Sequence, residues 1–138
     1  MSRLDEFFGS NNVDALFGDS PITSTPFPRA GRLKHRKDYD KARVTAVLKD
    51  QNYPLTEIDP RTLSATQECI IRDGVEHYMK SDKLYADEHN AGNTHPVVYR
   101  REGGENLILS GTHRATSALL KGQQFRARVV DGPWGEER

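Results

Sequence analysis

The sequence predicts an α+β domain, a short mixed sheet packed with helices, and three stretches predict it. In Leu107–Gly122 an apolar strand runs into a glycine, then polar residues, then a helical pattern closed by a second glycine. Ahead of it, Pro96-Val97-Val98-Tyr99-Arg100 has strand composition, and Gly103-Gly104 supplies a hairpin turn that pairs it antiparallel with Leu107–Leu109. After it, Phe125–Val130 alternates like a strand with one buried face and one basic or small face.

Taken in order, the chain opens with two similar units, Leu4-Asp5-Glu6-Phe7-Phe8-Gly9 and Val13-Asp14-Ala15-Leu16-Phe17-Gly18. Neither can bury itself alone. They serve either as linear motifs for a partner's groove, or as half-turns packing on their own domain or on a second copy, the reading favoured here. A protein partner or self-association would then act through Phe7, Phe8, Leu16 and Phe17. Pro21, Pro26 and Pro28 make the following linker extended. Arg29, Arg32, Lys34, Arg36 and Lys37 form the densest basic run, equally suited to a solvated linker or to weak, non-specific DNA contact through Arg32, Lys34, Arg36 and Lys37.

From Asp38 to about Asp50 the pattern is helical. Residues 1–50 thus read as an extended N-terminal arm, linker and helix, and residues 51–138 as the domain with a short C-terminal tail. Tyr53–Ile58 forms a strand ended by Pro60. Ser64-Ala65-Thr66-Gln67 has the capping-box spacing that starts a helix, with Ile71, Val75, Tyr78 and Met79 along one face and Asp73-Gly74 as a break point. Cys69 falls within that helix, with no base at a local spacing to activate it. Residues 81–95 read as a long loop. Its Asp87, Glu88, His89 and His95 match no closed ligand spacing, so no metal site is expected.

The glycine turn is where chemistry concentrates. Gly111 lets the strand turn sharply, so Thr112, His113 and Arg114 fall in a first helical turn, where the N–H groups and the helix dipole favour an anion. Thr112 offers a hydroxyl, His113 a proton, and Arg114 a fork suited to phosphate oxygens. The same spacing fits an ordinary strand-to-helix corner with Thr112 as its cap. On spacing alone the two readings are even.

Composition narrows the classes. The 138 residues carry 20 basic and 20 acidic side chains, which removes any global argument for nucleic acid or an anionic membrane. Hydrophobic content of 35% and a mean hydropathy of -0.77 predict a modest core. A single cysteine excludes an internal disulfide, and no apolar run approaches a membrane span, so a soluble, cytoplasmic protein without membrane partners is expected.

The succession of elements resembles the ParB/sulfiredoxin superfamily. Pro96-Val97-Val98-Tyr99 is similar to its P-i-x-V strand, and Gly111-Thr112-His113-Arg114 with Ala118 to its G-x-(H/R)-R-x-x-x-A signature. Ala127–Val130 is similar to the closing strand. Ile58–Gln67 with Val75 and Tyr78 is similar to the lead-in of the ParB-like nuclease-domain group met in phage and actinobacterial proteins. The likeness covers residues 55–131. It implies that the turn binds nucleotide phosphates through Ser110, Gly111, Thr112, His113, Arg114 and Gln67, with ATP or CTP, and Mg2+, as the implied cofactors.

Thr112 stands where sulfiredoxins carry their catalytic cysteine, so that chemistry is excluded. Ser110 stands where the related Asp-Gly-His-His-Arg proteins carry an acid. Three classes stay open: a nucleotide-binding domain, a metal-dependent nuclease or NTPase of the ParB-like group, and a non-catalytic interaction factor. If the domain is an enzyme, phosphoryl hydrolysis or transfer is the expected reaction, with His113 as general acid or base and Glu105, or Glu68, as base or metal ligand.

Overall fold

The computed structural model describes residues 3–29, 55–80, 96–100 and 104–131. The basic residues Arg32, Lys34, Arg36 and Lys37, the helix expected over 38–50, the loop 81–95 and the tail beyond 131 lie outside the described residues.

Among these, α1 is Arg3–Phe7, α2 Val13–Phe17, β1 Ile22–Ser24 and β2 Leu55–Ile58. A single 3-10 turn at Pro60–Thr62 leads into β3 (Leu63–Ala65), then β4 (Cys69–Ile71) and α3 (Arg72–Met79). The chain continues with β5 (Val97–Arg100), β6 (Asn106–Ser110), α4 (Thr112–Lys121) and β7 (Phe125–Asp131). The main sheet has the order β2-β7-β5-β6-β3, with β7 antiparallel to β2 and parallel to β5. The expected antiparallel pairing of β5 with β6 is present, and β3 runs parallel to β6. The α+β class is therefore the one observed.

The central strands are buried on both faces. Val98, Ile108, Ala127 and Val129 belong to the core cluster with the helices, whereas Val97, Tyr99, Leu107 and Val130 occupy the opposite face and are equally withdrawn from water. Such strands read as continuous apolar runs rather than alternating ones. This corrects the basic face expected of β7: Arg126 is exposed beside Glu57 of β2, but Arg128 is buried. Helices α3 and α4 lie against each other and close the core through Val75, Ala115, Leu119 and Leu120.

The N-terminal segment departs most from expectation. Instead of an extended arm, Leu4, Phe7, Leu16, Phe17 and Phe27 enter the same core as the sheet. Phe8 is partly buried, with the Arg61 guanidinium carbon 4.0 Å from its ring centre. Packing on its own domain is thus what the two acidic-aromatic units do, and Phe7, Leu16 and Phe17 are not available to a partner. The proline-flanked stretch is extended as expected, but as β1 it pairs antiparallel with β4, Ile22 opposite Ile71.

Residues 63–67 also differ. Ser64 caps no helix; it is buried in β3 opposite Leu107 of β6, and Thr66 donates its hydroxyl to the Ile108 carbonyl at 2.6 Å. The helix begins only at Arg72, runs through Asp73-Gly74 without a break, and leaves Cys69 exposed in β4 and Ile71 exposed at its start.

Candidate functional site

Strand β6 passes into α4 through Gly111, whose φ of 99° lies in the left-handed region that only glycine enters freely. A side chain there would also collide with a neighbour: a Cβ would stand 2.6 Å from Cβ of Pro96. Backbone conformation and proline packing together restrict the position to glycine. The first turn that follows has Thr112 almost fully buried and His113 and Arg114 half-buried. Gly111, lacking a side chain, gives this turn no cap of its own.

His113 turns toward α3. Its Nε2 accepts a hydrogen bond from the Ile71 N–H at 3.0 Å, so an imidazole from α4 caps the start of α3. The ring lies against Gly74, where a Cβ would meet Cδ2 at 2.8 Å and Cγ at 2.9 Å. An acceptor Nε2 requires the neutral ring with its proton on Nδ1. Burial holds its pKa below the ordinary histidine value, which favours that neutral form. The neighbouring Arg114 places its guanidinium carbon 5.2 Å from the Tyr78 ring centre, so the fork leaves the helix start along the α3 face.

The parallel pairing of β3 with β6 ends short of Gln67. Ala65, the last residue of β3, pairs with Ile108; Ser110 closes β6 two residues on, whereas Gln67 lies outside the strand, in the bend of residues 66–68. Gln67 spends its side-chain amide on the Cys69 carbonyl at 2.9 Å, a local bond that replaces the expected capping box. Glu105 is not brought to the turn. It precedes β6 and Ser110 ends it, which separates the two by roughly 16 Å along the strand. Glu68 is exposed and faces Arg29 at 3.6 Å.

The structure therefore groups Ser110, Gly111, Thr112, His113 and Arg114 at the passage from β6 to α4, and leaves Gln67 in the bend that follows β3, the parallel neighbour of β6. It leaves Glu105 at the far end of β6. Three participants were not read from the sequence: Gly74, Pro96 and the Ile71 N–H. An isolated glycine inside a helical pattern signals close packing, and Gly74 carries that signal. The other two depend on contacts between distant segments, for which the sequence has no marker.

Among the described residues, no group of three or more His, Cys, Asp or Glu side chains is placed to hold a metal ion, and no helix is long and apolar enough to cross a membrane. Compared with known proteins, the chain matches no family model, no curated protein and no solved structure.

Proposed function

We propose that the turn Ser110–Arg114 binds the phosphate groups of a nucleotide, in keeping with the resemblance to the ParB/sulfiredoxin superfamily. The observation that carries this reading is the left-handed Gly111 at the head of α4, which turns the strand end directly into a helix start with no side chain of its own in the way. Arg114 stands in the first turn of α4 and supplies the positive charge of this site, its guanidinium lying over the Tyr78 ring. ATP and CTP are the first ligands to test, with any Mg2+ carried by the triphosphate.

His113 serves this site by position. Its Nε2 lone pair is committed to the Ile71 N–H, so the ring orients the two helix starts and its acid–base capacity is engaged in that bond. With Glu105 removed from the turn, the reading of a binding domain is better supported than that of a nuclease or NTPase.

Titration calorimetry and thermal shift with ATP, CTP and inorganic triphosphate, each with and without Mg2+, test the proposal. A ligand that binds the folded state alone stabilises it by about 2.7 kcal/mol at a hundredfold excess over Kd. Arg114→Ala is expected to weaken that binding at least tenfold. Absence of a shift with every triphosphate, or equal affinity in wild type and Arg114→Ala, overturns the phosphate assignment.

A further inference from the structure

The contact between His113 and the start of α3 depends on the protonation state of one ring. The Ile71 N–H donates to Nε2 across 3.0 Å, and that bond exists only while Nε2 presents a lone pair. An imidazolium has a proton on both nitrogens, and would set N–H against N–H at the same place. It would also put a positive charge at the starts of two helices, α3, which it caps, and α4, in whose first turn it stands. Gly74 gives the ring room against α3; a Cβ there would stand 2.8 Å from Cδ2, which leaves no space for any other side chain without a shift.

We propose that His113 is a proton-operated latch: neutral, it ties the start of α3 to the first turn of α4, and protonated, it releases the Ile71 N–H and lets the two helix starts part.

The charged and titratable groups on the elements packed around it do not replace the lost bond. On α3, Arg72 is held by Asp14 and Glu76, and Asp73 and His77 are exposed. Tyr78 lies beneath the Arg114 guanidinium, the neighbouring charge on α4. On β4, Cys69 is exposed two residues before Ile71. Burial alone lowers the His113 pKa, and no carboxylate among the described residues raises it. The unfolded chain therefore takes up the proton first. The latch contributes fully above the unfolded value of about 6.5, and its contribution falls as the pH drops from there toward the lower pKa of the folded ring.

The test uses the full-length, 15N-labelled protein without ligand, and so stands apart from the phosphate proposal. Long-range 1H–15N spectra are expected to show the Nδ1–H tautomer of His113 at pH 7.5. Between pH 7.5 and 5.0 the ring is expected to titrate below free histidine, and the Ile71 amide to follow the same curve. Its protection from exchange, corrected for the intrinsic rate, should fall at least tenfold. His113→Gln, which keeps an acceptor that does not titrate, should lose less melting temperature than wild type over the same interval. An Nε2–H tautomer at pH 7.5, or an Ile71 amide that stays protected while the ring titrates, overturns the latch. Should His113→Gln fail to fold, the wild-type spectra decide alone.

Discussion

The two ends of α4 begin from the same device and serve opposite ends of the design. Gly111 at one end and Gly122 at the other both hold left-handed backbone, with φ of 99° and 69°. At the C-terminal end the helix carbonyls are consumed: Gly122 and Gln123 bond back to Leu119 and Ala118, and the N-terminal segment adds Gly9 N–H to the Leu119 carbonyl at 3.0 Å and Asn11 N–H to the Leu120 carbonyl at 2.7 Å. Gly9 and Gly122 touch so closely that a Cβ on Gly122 would lie 3.0 Å from the Gly9 Cα. At the N-terminal end, Gly111 contributes no cap, and the neighbouring side chains reach outward to α3, His113 to a backbone N–H and Arg114 over a ring. One end is closed by backbone from a distant segment. The other keeps its half-buried side chains at the edge where β3 and β6 finish. The comparison teaches that residues 3–29 are a structural wall of this domain: Gly9 and Asn11 close the C-terminal end of α4, and β1 pairs with β4, whose Ile71 meets the N-terminal end.

Removing the closed end altogether should have the largest effect. Deleting residues 1–20 takes Leu4, Phe7, Leu16 and Phe17 from the core, each worth about 1.5–3 kcal/mol when fully buried. Against a total stability of about 5–15 kcal/mol, that loss should abolish the cooperative thermal transition in circular dichroism. A truncated protein that still melts cooperatively near the wild-type temperature would show that the two ends of α4 are independent.

Point substitutions compare the ends directly. Gly111→Ala meets both an unfavourable φ and the Pro96 ring, and should cost about 3 kcal/mol in denaturant titration. Gly122→Ala meets a φ that other residues reach more readily, with the Gly9 backbone as its obstacle, and should cost about 2 kcal/mol. A reversed order would place the tighter constraint at the C-terminal end.

Gly74→Ala asks whether the His113 ring really rests on α3. In an exposed helix the change would gain about 1 kcal/mol of propensity, whereas displacing the imidazole costs about 1–3 kcal/mol. A net destabilisation of about 1 kcal/mol is expected from chemical unfolding, and a stabilised variant would remove His113 from Gly74. Arg114→Ala should have the smallest effect on the fold, about 0.5–1 kcal/mol from the lost contact with Tyr78, alongside its tenfold loss of triphosphate affinity.

Much of this domain follows from local physics and is legible residue by residue. Apolar runs of strand length, the antiparallel pairing of β5 with β6, the glycine that turns β6 into α4 and the glycine that ends α4 are all where the sequence places them. Periodicity and the chirality of the backbone act within a few residues, and glycine is the residue that relieves the second. The candidate site is legible to the same extent, since Ser110–Arg114 is one contiguous segment.

What required the tertiary structure are pairings between segments far apart in the chain. Ser64–Gln67 satisfies the spacing of a capping box, yet Leu63–Ala65 forms a strand because β6 offers a parallel ladder, and burial between neighbours outweighs a cap worth about 1 kcal/mol. Phe7 and Phe17 read from the sequence as packing on their own domain or on a second copy, and the choice between the two stays open there, because apolar surface is non-directional and packs wherever a complementary face is left. His113 could be read from sequence as donor, acceptor or acid; the Ile71 N–H, 42 residues earlier, makes it an acceptor. A hydrogen bond depends on where its partner lies in space, and only the fold determines that.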